Sequence, residues 1–340
     1  MAALARRAAA ELLIETLDNG RTLDEALVLC ESFEKLKGPD RGFARAMASA
    51  ALRELGRIDK GLAPFLTRPL ETATPPARAL LRIGAAQSWI MGTPAHAAVG
   101  ETVEAAKAWP RARSAAGFLN AVLRKAAGNR AAFDKAPATA VSPDWLTVAM
   151  MTSIGVEPTS ALAASQAGEP DLYLTPRDPD GAASLAERLG GEVFGAGSVR
   201  VASRRADTES EEGAPSAPVA IEDLPGYAEG DWWVQDAAAA LPVATMKLTP
   251  GMSVLDLCAA PGGKTLQIAA RGAKTVAVDR SDARLGRLRD NLLRMNMTDA
   301  VEVVVANAEL WRPEALVDAI LLDAPCSALG TLQRHPEGAW

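Results

Sequence analysis

The spacing of apolar residues along the chain changes at about residue 167. Before that point apolar residues recur at helical intervals, and one helical face near the N-terminus carries Leu4, Ala8, Leu12 and Leu13. Helices are predicted from Pro39 up to a stop at Gly56, from Pro75 onwards, over 96–108 and 112–127, and from Asp144 onwards. No alternating strand pattern of useful length interrupts them. The N-terminal part is therefore predicted to be an all-α domain.

The second half of the chain mixes strand and helix patterns. A strand around 172–174, a helix over 182–189 and short strands near Val193 and Val199 predict a small α+β module. Residues 206–218 are rich in Asp, Glu, Ser, Pro and Gly, which is typical of an exposed acidic linker. From about Tyr227, apolar strands at 254–257, 275–278, 301–305 and 319–322 alternate with helices over 265–270 and 282–296. Alternation of this kind predicts a parallel, doubly wound sheet.

The predicted organisation therefore has three parts. Residues 1–130 form a helical domain, 131–226 a helical connector with the small α+β module, and 227–340 an α/β Rossmann-like domain with an incomplete parallel sheet. The composition, with 49% hydrophobic and 23% charged residues, excludes a wholly disordered chain. No segment is apolar enough to predict a membrane span or a signal peptide.

The number and spacing of cysteines and histidines limit which disulfides and metal sites the chain can form. The three cysteines, Cys30, Cys258 and Cys326, are too far apart for a disulfide framework or a CxxC zinc module. This pattern predicts a reducing, cytoplasmic compartment, with Cys30 in the core. The only two histidines, His96 and His335, are isolated, so no metal site is expected. His96 is predicted to be structural, and a substrate contact by His335 stays open.

The charge is unevenly distributed. Residues 1–130 contain 19 Lys and Arg against 13 Asp and Glu, a balance of +6, whereas the whole chain carries −6. A basic segment on an acidic chain indicates a polyanionic partner for that segment. Chance clustering on a solvated surface is the alternative, and charge alone does not separate the two.

A Gly-rich turn follows the first strand of the C-terminal domain. Pro261, Gly262 and Gly263 lie between strand 254–257 and the next helix, and Asp279 ends the second strand sixteen residues after Gly263. Glycines let a ligand approach the backbone, and an acid in this position can accept hydrogen bonds from ribose hydroxyls. Together they predict an adenosine-containing ligand. A phosphate-binding P-loop of an NTPase is the alternative for this turn, but the first glycine of that motif would fall on Cys258.

A second reactive cluster follows the 319–322 strand. Asp323, Pro325 and Cys326 come directly after it, at the edge of the sheet where the ligand is expected. A thiolate beside a carboxylic acid suits methylation of C5 of a pyrimidine. In that reaction a thiolate adds to C6, an acid near N3 assists, and a base removes the C5 proton. Burial as a small apolar residue is the usual fate of a single cysteine, but this sequence context favours chemistry for Cys326. Cys258 is predicted only to pack or to touch the ligand.

These motifs resemble those of the RsmB (Sun) family of ribosomal RNA cytosine-5 methyltransferases. The resemblance rests on Cys258–Lys264, on Asp323–Ser327 with Arg334–Pro336 behind it, and on the lead-in Glu229–Asp236. It extends to the N-terminal part, where Asp40–Phe43, Pro94–Val99 and Asn120–Arg124 are similar to the family's NusB-like RNA-binding domain. The resemblance covers the whole chain.

The resemblance implies S-adenosylmethionine as the methyl donor and 16S ribosomal RNA as the substrate. By position, Asp279 would bind the ribose and Asn307, where the family usually has Asp, the adenine. Asp323 would lie beside the target base and the cofactor, and Cys326 matches a cysteine understood to assist product release. The methionine and adenosine portions would be held by the turn, which consists of Cys258, Ala259, Ala260, Pro261, Gly262, Gly263 and Lys264.

The family pattern also continues beyond Trp340. Its members run for about another hundred residues, consistent with an unfinished doubly wound sheet here. That part carries a Thr-Cys cysteine, the covalent nucleophile, which is absent from this chain. A non-catalytic RNA- and cofactor-binding fragment is therefore the alternative to an active enzyme. Without those strands, the strand over 319–322 is expected to form an open apolar edge.

Candidate RNA contacts come from arginine and tryptophan side chains. One predicted helix carries Arg41, Arg45, Arg53 and Arg57, with Arg41 and Arg45 on a common face. A solvated face and RNA phosphate contact are both open, and the family resemblance slightly favours the second. Trp232 and Trp233 could stack on bases, but core packing of at least one ring is favoured because tryptophan buries a large area.

Overall fold

The computed structural model describes residues 2–168, 170–202 and 221–340. The predicted acidic linker at 206–218 lies outside these ranges. The chain forms two compact units, one of residues 1–169 with 328–340 and one of residues 170–327. The predicted boundaries at residues 130 and 226 stay a prediction. None of the described helices is long and apolar enough to cross a membrane.

The first unit confirms the predicted all-α domain. Its described helices are α1 (Ala2–Leu17), α2 (Leu23–Leu29), α3 (Glu31–Glu34), α4 (Gly38–Arg53), α5 (Leu55–Leu62), α6 (Pro75–Trp89), α7 (Ala95–Ala108), α8 (Ala116–Ala127), α9 (Arg130–Asp134), α10 (Asp144–Ile154) and α11 (Val156–Ala167). Helix α1 runs through the core, where Leu12 and Leu13 are fully buried. Trp89 is buried too, and its indole N–H donates to the Ala126 carbonyl at 3.0 Å.

The predicted helix stop at Gly56 is wrong. The break falls at Glu54, between α4 and α5, and Gly56 lies inside α5. This glycine allows a close approach instead, because a Cβ there would come within 2.2 Å of the Ala140 carbonyl oxygen and 2.9 Å of the Trp340 ring. Packing against distant residues, and not local helix termination, explains the glycine.

The second unit contains two sheets. Its described elements are β1 (Leu172–Pro176), α12 (Ala182–Leu189), β2 (Glu192–Phe194), β3 (Ser198–Val201), β4 (Trp232–Val234), α13 (Ala237–Thr245), β5 (Ser253–Leu257), α14 (Gly263–Ala269), β6 (Lys274–Asp279), α15 (Asp282–Arg294), β7 (Val301–Val305) and β8 (Ala319–Leu322). One sheet is antiparallel, in the order β2-β3-β1-β4. The other has the order β7-β6-β5-β8, with every pair parallel.

The parallel sheet confirms the predicted Rossmann-like arrangement. Helix α15 buries the apolar face that its sequence predicts, and Leu285 and Leu288 are fully inaccessible to solvent. Strand β8 lies at the edge of the described sheet, where Ile320 and Leu322 are 59% and 61% exposed. The strand order reverses between β5 and β8, and ligands of open α/β sheets bind outside the carboxyl ends at such a switch point.

Candidate functional site at the carboxyl edge of the parallel sheet

Four segments converge at one edge of the parallel sheet. Because β5, β6, β7 and β8 all run in the same direction, their carboxyl ends meet there. Cys258 follows β5, Asp279 ends β6, Asn307 comes two residues after β7, and Asp323 follows β8. The structure therefore brings together the residues that the sequence places at the ends of four separate strands.

The Gly-rich turn between β5 and α14 has an unusual backbone. Cys258 has φ of +60° and Gly262 has φ of +106°, both in the left-handed region. A Cβ at Gly262 would lie 2.4 Å from Leu288 Cδ1, so only glycine fits this position. Within the turn, Ala259 and Ala260 are buried. Leu288 of α15 thus packs directly against the turn.

Asp279 ties the turn to the end of β6. Its Oδ2 accepts a hydrogen bond from the Ala260 N–H at 3.1 Å, and its Oδ1 accepts one from the Ser281 N–H at 2.9 Å. Asp279 is 3% exposed. Arg284 lies nearby, with Nη1 3.9 Å from Asp279 Oδ2 and Nη2 donating to the Ala260 carbonyl at 2.6 Å.

Asp256 is a buried carboxyl that sequence reasoning did not single out. It is 1% exposed on β5, and its Oδ2 accepts a 2.6 Å hydrogen bond from the Thr265 hydroxyl. Its Oδ1 has no hydrogen-bond partner within the described structure. Burial raises the pKa of Asp256 to about 6, against the lowering effects of the Thr265 hydroxyl and the Lys264 charge. The feature of the sequence that could have identified Asp256 is a carboxylic acid within an otherwise apolar strand.

Lys264 and Asp323 connect the two predicted reactive motifs. Lys264 Nζ lies 2.7 Å from Asp323 Oδ2, and the lysine side chain is only 16% exposed. Lys264 ends the turn after β5, whereas Asp323 follows the neighbouring strand β8. This ion pair fixes the carboxylate of Asp323 beside the Gly-rich turn, and the aspartate itself remains exposed.

The three cysteines differ in accessibility. Cys326 is exposed, three residues beyond Asp323. Cys258 is only partly exposed, and burial together with the Asp279 charge raises the pKa of its thiol. Cys30 is buried in the helical unit as predicted, and burial raises its pKa. Since the thiolate is the nucleophilic form, Cys258 and Cys30 are poorly suited to nucleophilic attack.

Asn307 lies in a turn after β7. Its side-chain Oδ1 accepts a hydrogen bond from the Glu309 N–H at 3.0 Å, and the residue is exposed. Its amide nitrogen is therefore oriented by a local turn within two residues of the carboxyl end of β7.

The four candidate arginines do not share one helix as predicted. Arg41, Arg45 and Arg53 lie on α4, but Arg57 lies on α5 because the chain breaks at Glu54. Arg41 and Arg45 are exposed. Arg57 pairs with Glu54 at 3.0 Å and lies over the Phe133 ring at 4.4 Å. Arg53 is also partly buried. The structure thus leaves Arg41 and Arg45 as the accessible pair.

The predicted packing role of the tryptophan pair is confirmed. Trp232 and Trp233 are 0% and 2% exposed, which excludes them as base-stacking surfaces.

His335 belongs to the helical unit, where its Nδ1 lies 3.7 Å from Glu337 Oε1. The interaction with the Glu337 carboxylate raises the pKa of His335. His96 is exposed near the start of α7. Among the described residues, no cluster of His, Cys, Asp and Glu is suited to a metal ion.

Comparisons with known proteins agree with both units. Residues 3–128 match the NusB family, and residues 243–340 match the family described as 16S rRNA methyltransferase RsmB/F. Ribosomal RNA small subunit methyltransferase B of Vibrio cholerae is 33% identical, over 98% of this chain and 77% of the relative. The protein of the same name from Pseudomonas syringae is 35% identical, over 98% of this chain and 74% of the relative.

A solved structure supports the fold over the whole chain. The crystal structure of PH0851 superposes with a TM-score of 0.66 and 20% identity, covering 99% of this chain and 77% of that one. The sequence relatives favour a methyltransferase over the P-loop alternative. They also confirm the family resemblance that the motifs indicate.

Proposed function

Because the chain belongs to the family of ribosomal RNA small subunit methyltransferase B, an RNA methyltransferase family, we propose that it acts on cytosine C5 with S-adenosylmethionine as methyl donor. The observation that carries the proposal is the convergence of the Gly-rich turn, Asp279, Asn307 and Asp323 at one sheet edge. A 16S ribosomal RNA substrate is the finer part of the proposal, and it implies a cytoplasmic protein.

The residues at this edge fit the cofactor. The glycines of the turn Cys258–Lys264 allow a close approach to the backbone. Asp279 ends the neighbouring strand β6, and Asn307 follows β7, the next strand on the same side of the sheet. Each carboxylate oxygen of Asp279 accepts one backbone hydrogen bond and has capacity for a second, which suits ribose hydroxyls. The amide group of Asn307 would contact the adenine. When bound, S-adenosylmethionine supplies an electrophilic methyl group.

Asp323 and Cys326 would act on the target base. In the family, the thiolate of a Thr-Cys cysteine, a motif that residues 1–340 do not contain, adds to C6 and makes C5 nucleophilic toward the methyl group. An acidic group that shares a proton with N3 assists this addition, and a base then removes the C5 proton as the thiolate leaves C6. Asp323 takes that position in our proposal, and its ion pair with Lys264 keeps it oriented. Cys326, exposed on the same loop, assists product release.

The helical unit supplies the RNA contacts in this proposal. Its first 130 residues carry an excess of six positive charges, and Arg41 and Arg45 are exposed on α4. Arginine side chains on a surface contact phosphates and position the RNA without reading its sequence. Catalytic specificity would then depend on the site at the sheet edge.

Transfer of a tritiated methyl group from S-adenosylmethionine to unmodified 16S RNA tests the proposal, with nucleoside analysis for 5-methylcytidine. Binding is measured separately by calorimetry. Asp279→Ala should weaken cofactor binding by about 1–3 kcal/mol, since it removes a charged acceptor from ribose. Equal affinity in this variant would refute the ribose assignment. Binding of the cofactor and RNA without transfer would favour the non-catalytic alternative, and binding of ATP alone would favour an NTPase.

A further inference from the structure

Helix α14 is too short to hold the Gly-rich turn by itself. It spans seven residues, Gly263–Ala269, and its first residues complete the turn. Isolated helices shorter than about 12–15 residues are marginal in water. Its position must therefore come from contacts with the rest of the unit. Two of its buried residues, Thr265 and Gln267, are polar, at 0% and 5% exposure.

The first polar contact joins α14 to β5. The Thr265 hydroxyl donates to Asp256 Oδ2 at 2.6 Å, and both residues are almost completely inaccessible to solvent. A hydrogen bond to an ionised carboxylate is stronger than one between neutral groups. This contact fixes the first turn of the helix relative to the strand that leads into the Gly-rich turn.

The second polar contact joins α14 to the segment between β4 and α13. Gln235 Nε2 donates to Gln267 Oε1 at 3.2 Å, and Gln267 Nε2 donates to the Ala240 carbonyl at 3.0 Å. The Trp233 indole N–H donates in turn to Gln235 Oε1 at 2.8 Å. Gln235 also contacts the helix start, since a Cβ at Gly263 would lie 3.3 Å from Gln235 Cδ.

The two contacts act on opposite faces of the helix. Thr265 and Gln267 are two residues apart, which corresponds to a rotation of about 200° around the helix axis. One face is tied to Asp256 and the other to Gln235, so the helix can neither rotate nor slide without breaking a buried hydrogen bond. Hydrogen bonds are directional, whereas apolar packing would tolerate small displacements.

We propose that the Asp256–Thr265 and Gln235–Gln267 pairs are positioning residues that hold the Gly-rich turn in its ligand-binding conformation. This inference rests on the proposed function, because that turn is the cofactor-binding element. The polar pairs set the affinity for the cofactor without touching it. Their loss should therefore weaken ligand binding more than it weakens the fold of the second unit.

Calorimetry of the full chain with S-adenosylhomocysteine provides the first test. Thr265→Val is nearly isosteric but removes the hydroxyl, and we expect at least about a tenfold loss of affinity, the equivalent of one buried hydrogen bond. Thr265→Ser retains the hydroxyl and should restore most of the affinity. Thr275→Val is the matched control, because Thr275 is also buried and its hydroxyl has no partner in the described structure. It should bind like the unmodified protein.

The second pair is tested by a double-variant cycle. Gln235→Met and Gln267→Met should each weaken binding, and their effects should be strongly non-additive because the side chains bond to each other. If Thr265→Val does not fold, Gln235→Met and Gln267→Met still test the inference. Affinities equal to that of the unmodified protein in Thr265→Val and in both methionine variants would overturn the inference.

Alkylation of Cys258 by iodoacetamide, followed by mass spectrometry, gives a readout that needs no ligand. The thiol is part of the turn and only partly exposed, so a loosened turn should react faster in Thr265→Val but not in Thr275→Val. If the unmodified protein does not bind S-adenosylhomocysteine, the proposed function fails. The alkylation rate of Cys258 still tests whether the polar pairs hold the turn in place. Identical alkylation rates in the two variants would then refute it.

Discussion

Asp256→Asn should change how stability depends on pH. The carboxyl is 1% exposed, and burial raises its pKa from 3.8 to about 6. Between these values the folded state binds a proton that the unfolded state has lost, so the unfolding free energy falls as pH rises. Above the folded pKa the protein carries an ionised carboxylate in a buried position. Asparagine cannot ionise and still offers an acceptor oxygen to Thr265.

The size of this change in unfolding free energy follows from the shift in the pKa of Asp256. A difference of about two pKa units at about 1.4 kcal/mol per unit corresponds to about 3 kcal/mol. The stability of Asp256→Asn relative to the unmodified protein should thus increase by about 3 kcal/mol between about pH 4 and about pH 8. Comparing this difference across pH cancels the constant cost of placing an amide at the site.

Hydrogen exchange of peptides from β5 and α14, measured in urea, reports the unfolding free energy of this sheet. A local readout is needed because the chain has two compact units and need not unfold in one step. Asp318→Asn is an informative control: hydrogen bonds from Ser253 lower the pKa of Asp318, so its effect has the opposite sign. A pH-independent stability difference for Asp256→Asn would refute the reasoning.

Three further predictions concern the turn, the C-terminal segment and the basic surface. Gly262→Ala should destabilise the second unit by about 2–4 kcal/mol, through a strained φ and a clash with Leu288, as measured by hydrogen exchange of β5 and α14 peptides in urea. Gly286→Ala, in open space on α15, should not destabilise it. Because Glu337 raises the pKa of His335, their contact stabilises the helical unit below about pH 6.5 and is lost as pH rises through the raised pKa. Glu337→Gln should therefore lower the melting temperature at pH 5.5 to 6 more than at pH 8, and an equal loss at both would count against the pair. Replacing Arg41 and Arg45 together by Gln should reduce the slope of RNA affinity against salt by about 2, as two lost phosphate contacts require, while the partly buried Arg57→Gln should leave the slope unchanged.

The sequence determined the elements and the site residues that depend on local pattern. The strands at β5, β6, β7 and β8 agree with the predicted ones to within one residue at each end. Their order in the chain and their parallel direction were enough to place Asp279 and Asp323 at a common edge. This succeeds because a buried parallel strand is an apolar run of limited length, and its carboxyl end is fixed by chain direction.

Only the tertiary structure decided the contacts between residues far apart in the chain. The helical period allowed Arg57 to continue α4, but the break at Glu54 and packing on Phe133 placed it elsewhere. The Gln235–Gln267 hydrogen bond joins residues separated by 32 positions. Nothing in the local pattern of either glutamine indicates that it is buried. Such pairings depend on which faces meet after the sheets have formed, and that information lies in three-dimensional packing and not in the period of the chain.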